Sequence, residues 1–420
     1  MASFSFGAGN AGKLLRIPLY LGGRLATLLI PRSRDLWVFG SATGVADGAW
    51  ALWQVARDHG ERAVWLTGST RDAADATAHG IPFARKDSLR GFWLTARAAV
   101  TVVTHGFGDV NRYAATGGVI VQLWHGIPLK RIGLDAAVTT ASPVAFASGA
   151  ISRVLAVLYR RTQRRIRVLP AASDLVRGRL ESAFGLDSAA VPVTGEPRSD
   201  VLSAGSAADR RRTARARLGE LLGQLDDDAR LVLYAPTWRD GSDDPALPAS
   251  SDLAALRQVL EDAGAILLVR SHHLGGGERV EFDRIRPFGS EVVADITPLL
   301  PGLDVLVTDY SSLAFDAGLV PLPTLFFAPD LDDYARTRGF YGTYADVAGP
   351  DPARGWRELI AQLRAVLTDA DVHAGRVERA RSLSARMHAY SDGRNTERVY
   401  RVVRNLLGAE PHAPIEGSQA

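Results

Sequence analysis

Residues 230–238 read RLVLYAPTW, residues 265–273 read AILLVRSHH, and residues 303–312 read LDVLVTDYSS. Each segment begins with a run of about five mostly aliphatic residues and ends in polar side chains. Continuous apolar runs of this length are typical of parallel strands that are buried on both faces. The sequence therefore predicts three neighbouring strands of one parallel sheet.

Polar side chains at the ends of these three predicted strands form the first candidate site. Ligands of open α/β sheets bind beyond the carboxyl ends of the strands. Hydroxyl, guanidinium and imidazole groups without an acidic cluster suit a phosphate or a pyrophosphate. The residues that we expect at this edge are Thr237, Arg270, His272, Ser311 and Ser312.

A second set of predicted strands lies upstream. LWVFGS (36–41), AVTVVTHG (99–106) and VIVQLWHG (119–126) show the same apolar run ending in small or polar residues. The simplest interpretation is two Rossmann-like α/β domains whose strand ends face each other across a cleft. One domain would hold a nucleotide diphosphate, and the other would present the second reactant.

Length and composition agree with two domains. A chain of 420 residues with 46% hydrophobic residues can build two cores. We place the boundaries at 1–35 for a basic apolar segment, 36–203 and 204–402 for the two domains, and 403–420 for a tail. Cysteine is absent, which excludes disulfides, zinc–thiolate sites and cysteine nucleophiles. A net charge of +3 without a recognition motif argues against nucleic acid as a partner.

The N-terminal segment 11–34 carries five basic residues and no acid, interleaved with Leu, Ile and Tyr. Pro18 and a Gly-Gly pair interrupt its apolar residues. Arg16 and Arg24 would enter hydrocarbon if the segment crossed a bilayer. It lacks a clean signal-peptide cleavage site. We expect it to lie in the interface of an anionic membrane; the alternative is a buried first helix.

His125 is the candidate general base. It follows a predicted strand in QLWHGIPLKRIG (122–133), beside Gly126, where the missing Cβ lets a ligand approach the backbone. The ordinary pKa of histidine suits base catalysis near neutral pH. A structural histidine is the alternative, and His105 in VVTHGFGD has a similar setting. The basic pair that follows either attracts an anionic acceptor or is a solvated face.

Other polar residues leave two interpretations each. Arg198 in GEPRSD (195–200) would bind phosphate through two hydrogen bonds, or would form an exposed ion pair. Thr237 would contact a nucleotide or cap the following segment. The Ser311–Ser312 pair begins a predicted helix, where amides and hydroxyls favour phosphate. Asp316 would reach a ribose or an acceptor hydroxyl, whereas Asp309 could equally be a structural cap.

His272 and His273 are adjacent, and neighbouring side chains of an extended chain point to opposite faces. One of them should therefore face the ligand. Further His, Asp or Glu residues at ligand spacing, which a metal site would need, are not evident. We predict no metal ligands, and a histidine that contacts a diphosphate.

These motifs resemble those of the CDP-glycerol glycerophosphotransferases, the primases and polymerases of wall teichoic acid and related polyol-phosphate polymers. The resemblance runs from about residue 36 to about residue 402. It is carried in order by WHGIPLK, GEPRSD, YAPTWR, RSHH, VLVTDYSSLAFD, LDDYARTRGFY (331–341) and HAYSDGRNTERV (388–399). It implies a GT-B-like α/β fold, a peripheral protein of the cytoplasmic membrane face, and no required metal or other cofactor.

The resemblance also implies site residues. It makes 36–203 the acceptor-side domain and 204–402 the domain that binds the donor. The positions that match the family's CDP-glycerol contacts are His125, Gly126, Ile127, Pro128, Leu129, Arg198, Pro236, Thr237, Arg270, Ser271, His272, Ser311, Ser312 and Asp316.

The resulting hypothesis is transfer of glycerol phosphate from CDP-glycerol, or ribitol phosphate from CDP-ribitol, to a hydroxyl of a lipid-linked polyol-phosphate acceptor, with release of CMP. His125 would be the catalytic base, and His272 would stabilise the charge on the diphosphate. A GT-B glycosyltransferase that uses a nucleotide sugar is the first alternative. A non-catalytic protein that binds a polyanion or a nucleotide is the second. The sequence leaves open whether the enzyme primes or polymerises, and its oligomeric state.

Overall fold

The computed structural model describes residues 17–136, 139, 148–223, 225–226, 228–237, 248, 250–270 and 284–408. Contacts between residues divide this chain into two compact units. Within the described residues, the first unit comprises 17–126, 131–200 and 394–408. The second comprises 127–130 and 201–393.

The first unit is built on a parallel sheet of six strands in the order β3-β2-β1-β4-β5-β6. This is the strand order of the Rossmann fold. The strands are β1 (Leu36–Phe39), β2 (Arg62–Thr67), β3 (Phe83–Arg85), β4 (Val100–Val103), β5 (Val119–Gln122) and β6 (Ile166–Val168). The helices are α1 (Ile17–Leu29), α2 (Asp47–Asp58), α3 (Thr70–Ala78), α4 (Leu89–Arg97), α5 (Ser148–Gln163) and α6 (Asp174–Phe184), and one further helix comes from the end of the chain.

The second unit contains a parallel sheet of five strands in the order β11-β10-β7-β8-β9. The strands are β7 (Arg230–Ala235), β8 (Ala265–Val269), β9 (Ile285–Pro287), β10 (Val305–Thr308) and β11 (Thr324–Phe326). The helices are α7 (Ala207–Leu222), α8 (Ser250–Asp262), α9 (Leu313–Asp316), α10 (Leu331–Thr337), α11 (Ala345–Ala348), α12 (Trp356–Thr368) and α13 (Ala370–Met387). The last helix of the chain is α14 (Asn395–Leu406).

Both sheets are buried on both faces, which explains why their strands read as uninterrupted apolar runs. Every residue of β1, β4, β8 and β10 is buried. One core cluster covers each face of the second sheet. Two Rossmann-like units were predicted, and the strand orders confirm the fold class.

Helix α14 belongs to the first unit, although the predicted boundaries placed residues up to 402 in the second domain. It packs in the first unit through Val399, Tyr400 and Val403, which share a core cluster with Trp37. The Tyr400 ring stacks on the Trp37 ring with a centroid distance of 5.8 Å. The helix is strongly amphipathic, and the sheet of the first unit takes its apolar face. Conversely, residues 127–130 were predicted to lie in the first domain but belong to the second unit.

Two local predictions also differ from the structure. The basic stretch ISRVLAVLYRRTQRRIRVL (151–169) has apolar spacing close to helical, which predicts a helix, but α5 ends at Gln163 and β6 follows it. The start of VPVTGEPRSDVL (191–202) is typical of a strand that ends in a Gly/Pro turn, which predicts that residues 191–194 end a strand. They form only an isolated bridge, Ala171 to Val193, and the chain then turns into the 3-10 helix Pro197–Leu202.

Candidate active site

Each sheet has one topological switch point. It lies between two neighbouring strands whose following connections run towards opposite edges of the sheet. In the first sheet it lies between β1 and β4, and in the second between β7 and β10. Ligands of open α/β sheets bind at the carboxyl edge beside such a point. The predicted site residues divide into two groups accordingly, one in each unit.

His125 lies at the carboxyl edge of the first sheet, three residues beyond the end of β5. Its imidazole packs against two other rings. The His105 ring is parallel to it within 1°, with a centroid distance of 4.1 Å, and the Trp124 ring is tilted at 4.0 Å. Trp124 in turn packs edge-on against Phe184 at 5.1 Å. The base predicted from the sequence therefore has a defined ring orientation.

The backbone around His125 is unusual. Gly126 has φ of 120°, a conformation that residues with a Cβ rarely adopt. Trp124 has φ of 62°, although it is not a glycine. Asp47 is the other non-glycine residue with positive φ among those the structure describes. Such conformations cost about 1–3 kcal/mol each and cluster at functional sites.

His105 follows β4, at the switch point of the first sheet. Its Nδ1 lies 2.9 Å from the Thr104 hydroxyl. The Asp109 carboxylate accepts hydrogen bonds from the backbone N–H groups of Thr104, His105 and Gly106 at 2.9, 2.7 and 3.2 Å. Burial lowers the pKa of His105, and the Asp109 carboxylate opposes that shift. Burial therefore favours the neutral form of His105.

Arg198 is not an exposed ion-pair residue. Its side chain is 10% exposed, and its Nε donates to the Asp47 carboxylate at 3.2 Å. Asp47 is 9% exposed and begins α2. The arginine is thus held at the same strand edge by a residue 151 positions away. Asp47 was not among the predicted site residues, because nothing in the sequence connects it with Arg198.

The other residues of GEPRSD bind the start of α14. The Asp200 carboxylate accepts from the backbone N–H of Asn395 at 2.9 Å and of Thr396 at 2.8 Å. A Cβ on Gly195 would lie 2.1 Å from the Asn395 side chain, so the close approach requires glycine. Two motifs of the predicted family pattern therefore hold each other in place.

Thr237 and Asp309 bridge the switch point of the second sheet. Asp309 Oδ1 accepts from the Thr237 hydroxyl at 2.6 Å and from the Thr237 backbone N–H at 2.8 Å. Asp309 is 1% exposed. Pro236 lies beside Thr237 and is half-buried. Asp309 is therefore a structural partner of the predicted nucleotide contact.

Ser311 and Ser312 lie at the same edge, between β10 and α9, and both are half-buried. The helix that they precede is only four residues long. Ser311 Oγ accepts from the backbone N–H of Leu313 at 3.3 Å. Asp316 is 1% exposed. The two hydroxyls were predicted at a strand-to-helix turn, and the structure places them there.

Arg270 follows β8, but its guanidinium is directed towards the backbone. It donates to the carbonyls of Val293 at 2.9 Å and Ala294 at 3.0 Å. Burial lowers the pKa of Arg270, and Asp295 and Glu291 oppose the shift. In this arrangement Arg270 holds the loop after β9. Its predicted contact with the diphosphate remains a prediction.

The segment Ile127, Pro128 and Leu129 is buried, so its side chains do not face solvent. The Leu129 carbonyl accepts from the Tyr341 backbone N–H at 2.9 Å. Lys130 forms a bridge with Phe340. These contacts link WHGIPLK with LDDYARTRGFY, two of the motifs noted in the sequence.

Two residues of the predicted site, Ser271 and His272, lie outside the described residues, as does the neighbouring His273. The roles assigned to Ser271 and His272 stay predictions. Among the residues that the structure does describe, no group of three or more His, Asp or Glu side chains is placed to hold a metal ion.

The fold is shared with a solved teichoic acid enzyme. The structure of the wall teichoic acid polymerase TagF superposes with a TM-score of 0.75 at 22% identity, covering 95% of this chain and 96% of that one. At this identity the likeness concerns the fold alone. The class of protein is therefore a GT-B-like α/β protein built from two Rossmann-like units.

The sequence match is more specific. The family model for CDP-glycerol:poly(glycerophosphate) glycerophosphotransferase matches residues 25–405. The chain belongs to this glycerophosphotransferase family, which confirms the resemblance noted in the sequence.

Individual relatives match over about half of the chain. The teichoic acid glycerol-phosphate transferase of Staphylococcus aureus (strain NCTC 8325 / PS 47) is 32% identical over 249 residues, 57% of this chain and 60% of that protein. The teichoic acid glycerol-phosphate primase of Bacillus subtilis (strain 168) is 25% identical over 183 residues, 42% and 44% respectively. Less than two thirds of either relative is covered.

Proposed function

We propose that this chain is a CDP-glycerol glycerophosphotransferase of teichoic acid or related cell-envelope polymer synthesis. A hydroxyl of a lipid-linked polyol-phosphate acceptor attacks the β-phosphorus of CDP-glycerol. A new oxygen–phosphorus bond forms, the bond to the bridging oxygen breaks, and CMP leaves with the electron pair. The observation that carries the proposal is the family match over residues 25–405.

The first unit supplies the base. His125 takes the proton of the acceptor hydroxyl, for which its fixed ring orientation is suited. Arg198 lies at the same strand edge, where its side chain is 10% exposed and its Nε donates to Asp47. It stabilises negative charge on the phosphate groups.

The second unit holds the donor. The Ser311 and Ser312 hydroxyls and the Thr237 turn contact the diphosphate and the nucleotide at the switch point. Arg270 and His272 complete the charge stabilisation in this proposal. CDP-ribitol is the second donor to be tested, since one of the matched relatives is a teichoic acid ribitol-phosphate polymerase of S. aureus.

The test is incubation of the purified full-length protein with CDP-glycerol or CDP-ribitol and a lipid-linked acceptor. Release of CMP with extension of the acceptor is the expected result. Release of a nucleoside diphosphate from a nucleotide sugar would instead support the glycosyltransferase alternative. Nucleotide binding without turnover on any acceptor would support the non-catalytic alternative.

The Ser311–Ser312 turn provides a test of donor placement. Ser311→Ala with Ser312→Ala should raise the Kd for CDP-glycerol about tenfold or more, because hydrogen bonds to a charged group contribute about 1.5–3 kcal/mol. Calorimetric titration measures this. Ser382→Ala, an exposed serine of α13 in the same unit, is the matched control. Equal affinities of the double variant and the wild type would contradict the placement.

We also propose peripheral attachment to the cytoplasmic face of the cell membrane through α1. Within the described ranges, every helix falls short of the length and apolar content that a bilayer span requires. Helix α1 nevertheless exposes a group of large apolar side chains. They are Leu19 at 57%, Tyr20 at 41%, Leu21 at 61%, Leu25 at 65%, Leu28 at 75% and Leu29 at 87%.

Substitution on this face tests the attachment. Leu21→Glu, Leu25→Glu and Leu28→Glu together should release the protein from anionic vesicles, because they remove apolar area and add charge that the lipid repels. Leu89→Glu, at a site 90% exposed elsewhere in the first unit, is the matched control. Cosedimentation with vesicles measures binding. Undiminished binding of the triple variant would place the attachment elsewhere.

A further inference from the structure

The His105–His125 ring pair has a feature that base catalysis alone does not require. The two imidazoles are parallel within 1° at a centroid distance of 4.1 Å. The residues come from different strand ends, since His105 follows β4 and His125 follows β5. Such a contact fixes the plane of each ring relative to the other.

His105 is in turn fixed by its own loop. The Asp109 carboxylate accepts from three consecutive backbone N–H groups, those of Thr104, His105 and Gly106. This holds the loop after β4 in one conformation. The His105 ring is therefore attached to a rigid support, and it can act as a fixed surface for the ring that stacks on it.

The acceptors around the Thr104 hydroxyl favour one tautomer of His105. Thr104 Oγ1 lies 3.1 Å from Ser41 Oγ and 3.3 Å from the Asp109 carboxylate, which only accepts. When the single Thr104 hydroxyl proton is donated to either of them, the Thr104 oxygen accepts from His105 Nδ1–H. His105 then carries its proton on Nδ1. Burial, which lowers its pKa, favours this neutral ring.

We propose that His105 is a positioning residue for the reaction, and that its neutral ring holds the His125 imidazole in the orientation in which the base meets the acceptor hydroxyl. The proposal rests on the proposed function, since it takes His125 as the base. The Trp124 ring, at a centroid distance of 4.0 Å, is a second ring that packs against His125. A neutral neighbour also tolerates the positive charge that His125 acquires when it takes the proton.

Kinetics of His105 variants test the role. His105→Ala should lower kcat about 10–100-fold, because a base displaced by about 1 Å loses rate on this scale. The KM for CDP-glycerol and the Tm should stay close to wild type. His105→Phe keeps a planar ring and should restore most of kcat, whereas His105→Leu should not. Wild-type kcat in His105→Ala, or equal losses in the Phe and Leu variants, would overturn the proposal.

A double-variant cycle separates positioning from direct chemistry. If His105 acts only through His125, adding His105→Ala to His125→Ala should cause no further loss of rate. An additional loss in that background would show that His105 acts independently of His125, and would overturn the positioning role.

NMR of the His125 side chain tests the positioning role of His105 without relying on transfer activity. The side-chain ¹⁵N resonances of His125 in the full-length protein should shift when His105 becomes Ala and should move less when it becomes Phe. Unchanged resonances would overturn the positioning role even if transfer occurs. If the wild type releases no CMP, the proposed function fails, and the resonances still report whether His105 orients His125. If His125→Ala keeps full turnover, the function stands but the base is another group, and the positioning role for catalysis is overturned.

Discussion

His125→Ala is expected to lower CMP release from CDP-glycerol about 10²–10⁴-fold, the usual loss when a general base is removed. The Kd for CDP-glycerol should change little, because His125 lies at the strand edge of the acceptor-side unit and is proposed to meet the acceptor hydroxyl. Single-turnover CMP release and calorimetric titration measure the two quantities. His79→Ala, an exposed histidine of the same unit, is the matched control and should keep wild-type turnover.

Near wild-type turnover in His125→Ala would move the base to another group. His105 would be the first to examine, since its ring lies against the same position. A large rise in Kd with unchanged turnover at saturation would instead make His125 a binding residue, and the chemistry would need a different proton acceptor.

Glu61→Ala is expected to destabilise the protein by about 3–5 kcal/mol, the loss seen when one partner of a buried ion pair is removed. The Glu61 and Arg404 side chains are 4% and 9% exposed, and Oε1 accepts from Arg404 at 2.7 Å and from the Tyr400 hydroxyl at 2.8 Å. Burial and the Glu61 carboxylate raise the pKa of Tyr400, so its hydroxyl stays protonated and donates.

Urea unfolding followed by tryptophan fluorescence measures this loss. Glu220→Ala is the control, since the Arg217–Glu220 pair is 60% and 64% exposed and should contribute less than about 1 kcal/mol. Glu61→Gln keeps the shape of the side chain and should fall between the two. Equal midpoints for Glu61→Ala and Glu220→Ala would show that the buried pair does not hold α14 in place.

The sequence predicted the sheets well because their strands are buried on both faces. Runs such as RLVLYA have no other plausible environment, and their burial follows from composition alone. The prediction failed at β6, whose three residues follow a basic helix without a break in the pattern. It also assigned α14 to the wrong unit, because an amphipathic face does not identify the sheet that covers it.

The candidate site was predictable where a polar residue lies within four residues of the end of a strand. His125, Thr237, Ser311 and Ser312 all satisfy that rule. Asp47 was missed because its link to Arg198 spans 151 residues and depends on the tertiary fold. The His105–His125 stack was not predictable either, since the sequence suggested two competing histidines where the structure has a parallel pair.

The return of α14 to the first unit reverses the order in which the two units can be completed during synthesis on the ribosome. The second unit needs residues up to 393, whereas the first lacks Tyr400 and Arg404 until the chain has reached them. The face of the first sheet that carries Trp37 therefore stays without the cover of α14 while the second unit is synthesised. Incomplete units that expose apolar surface are prone to aggregation. We therefore expect the N-terminal unit of this chain to complete its folding after the second unit.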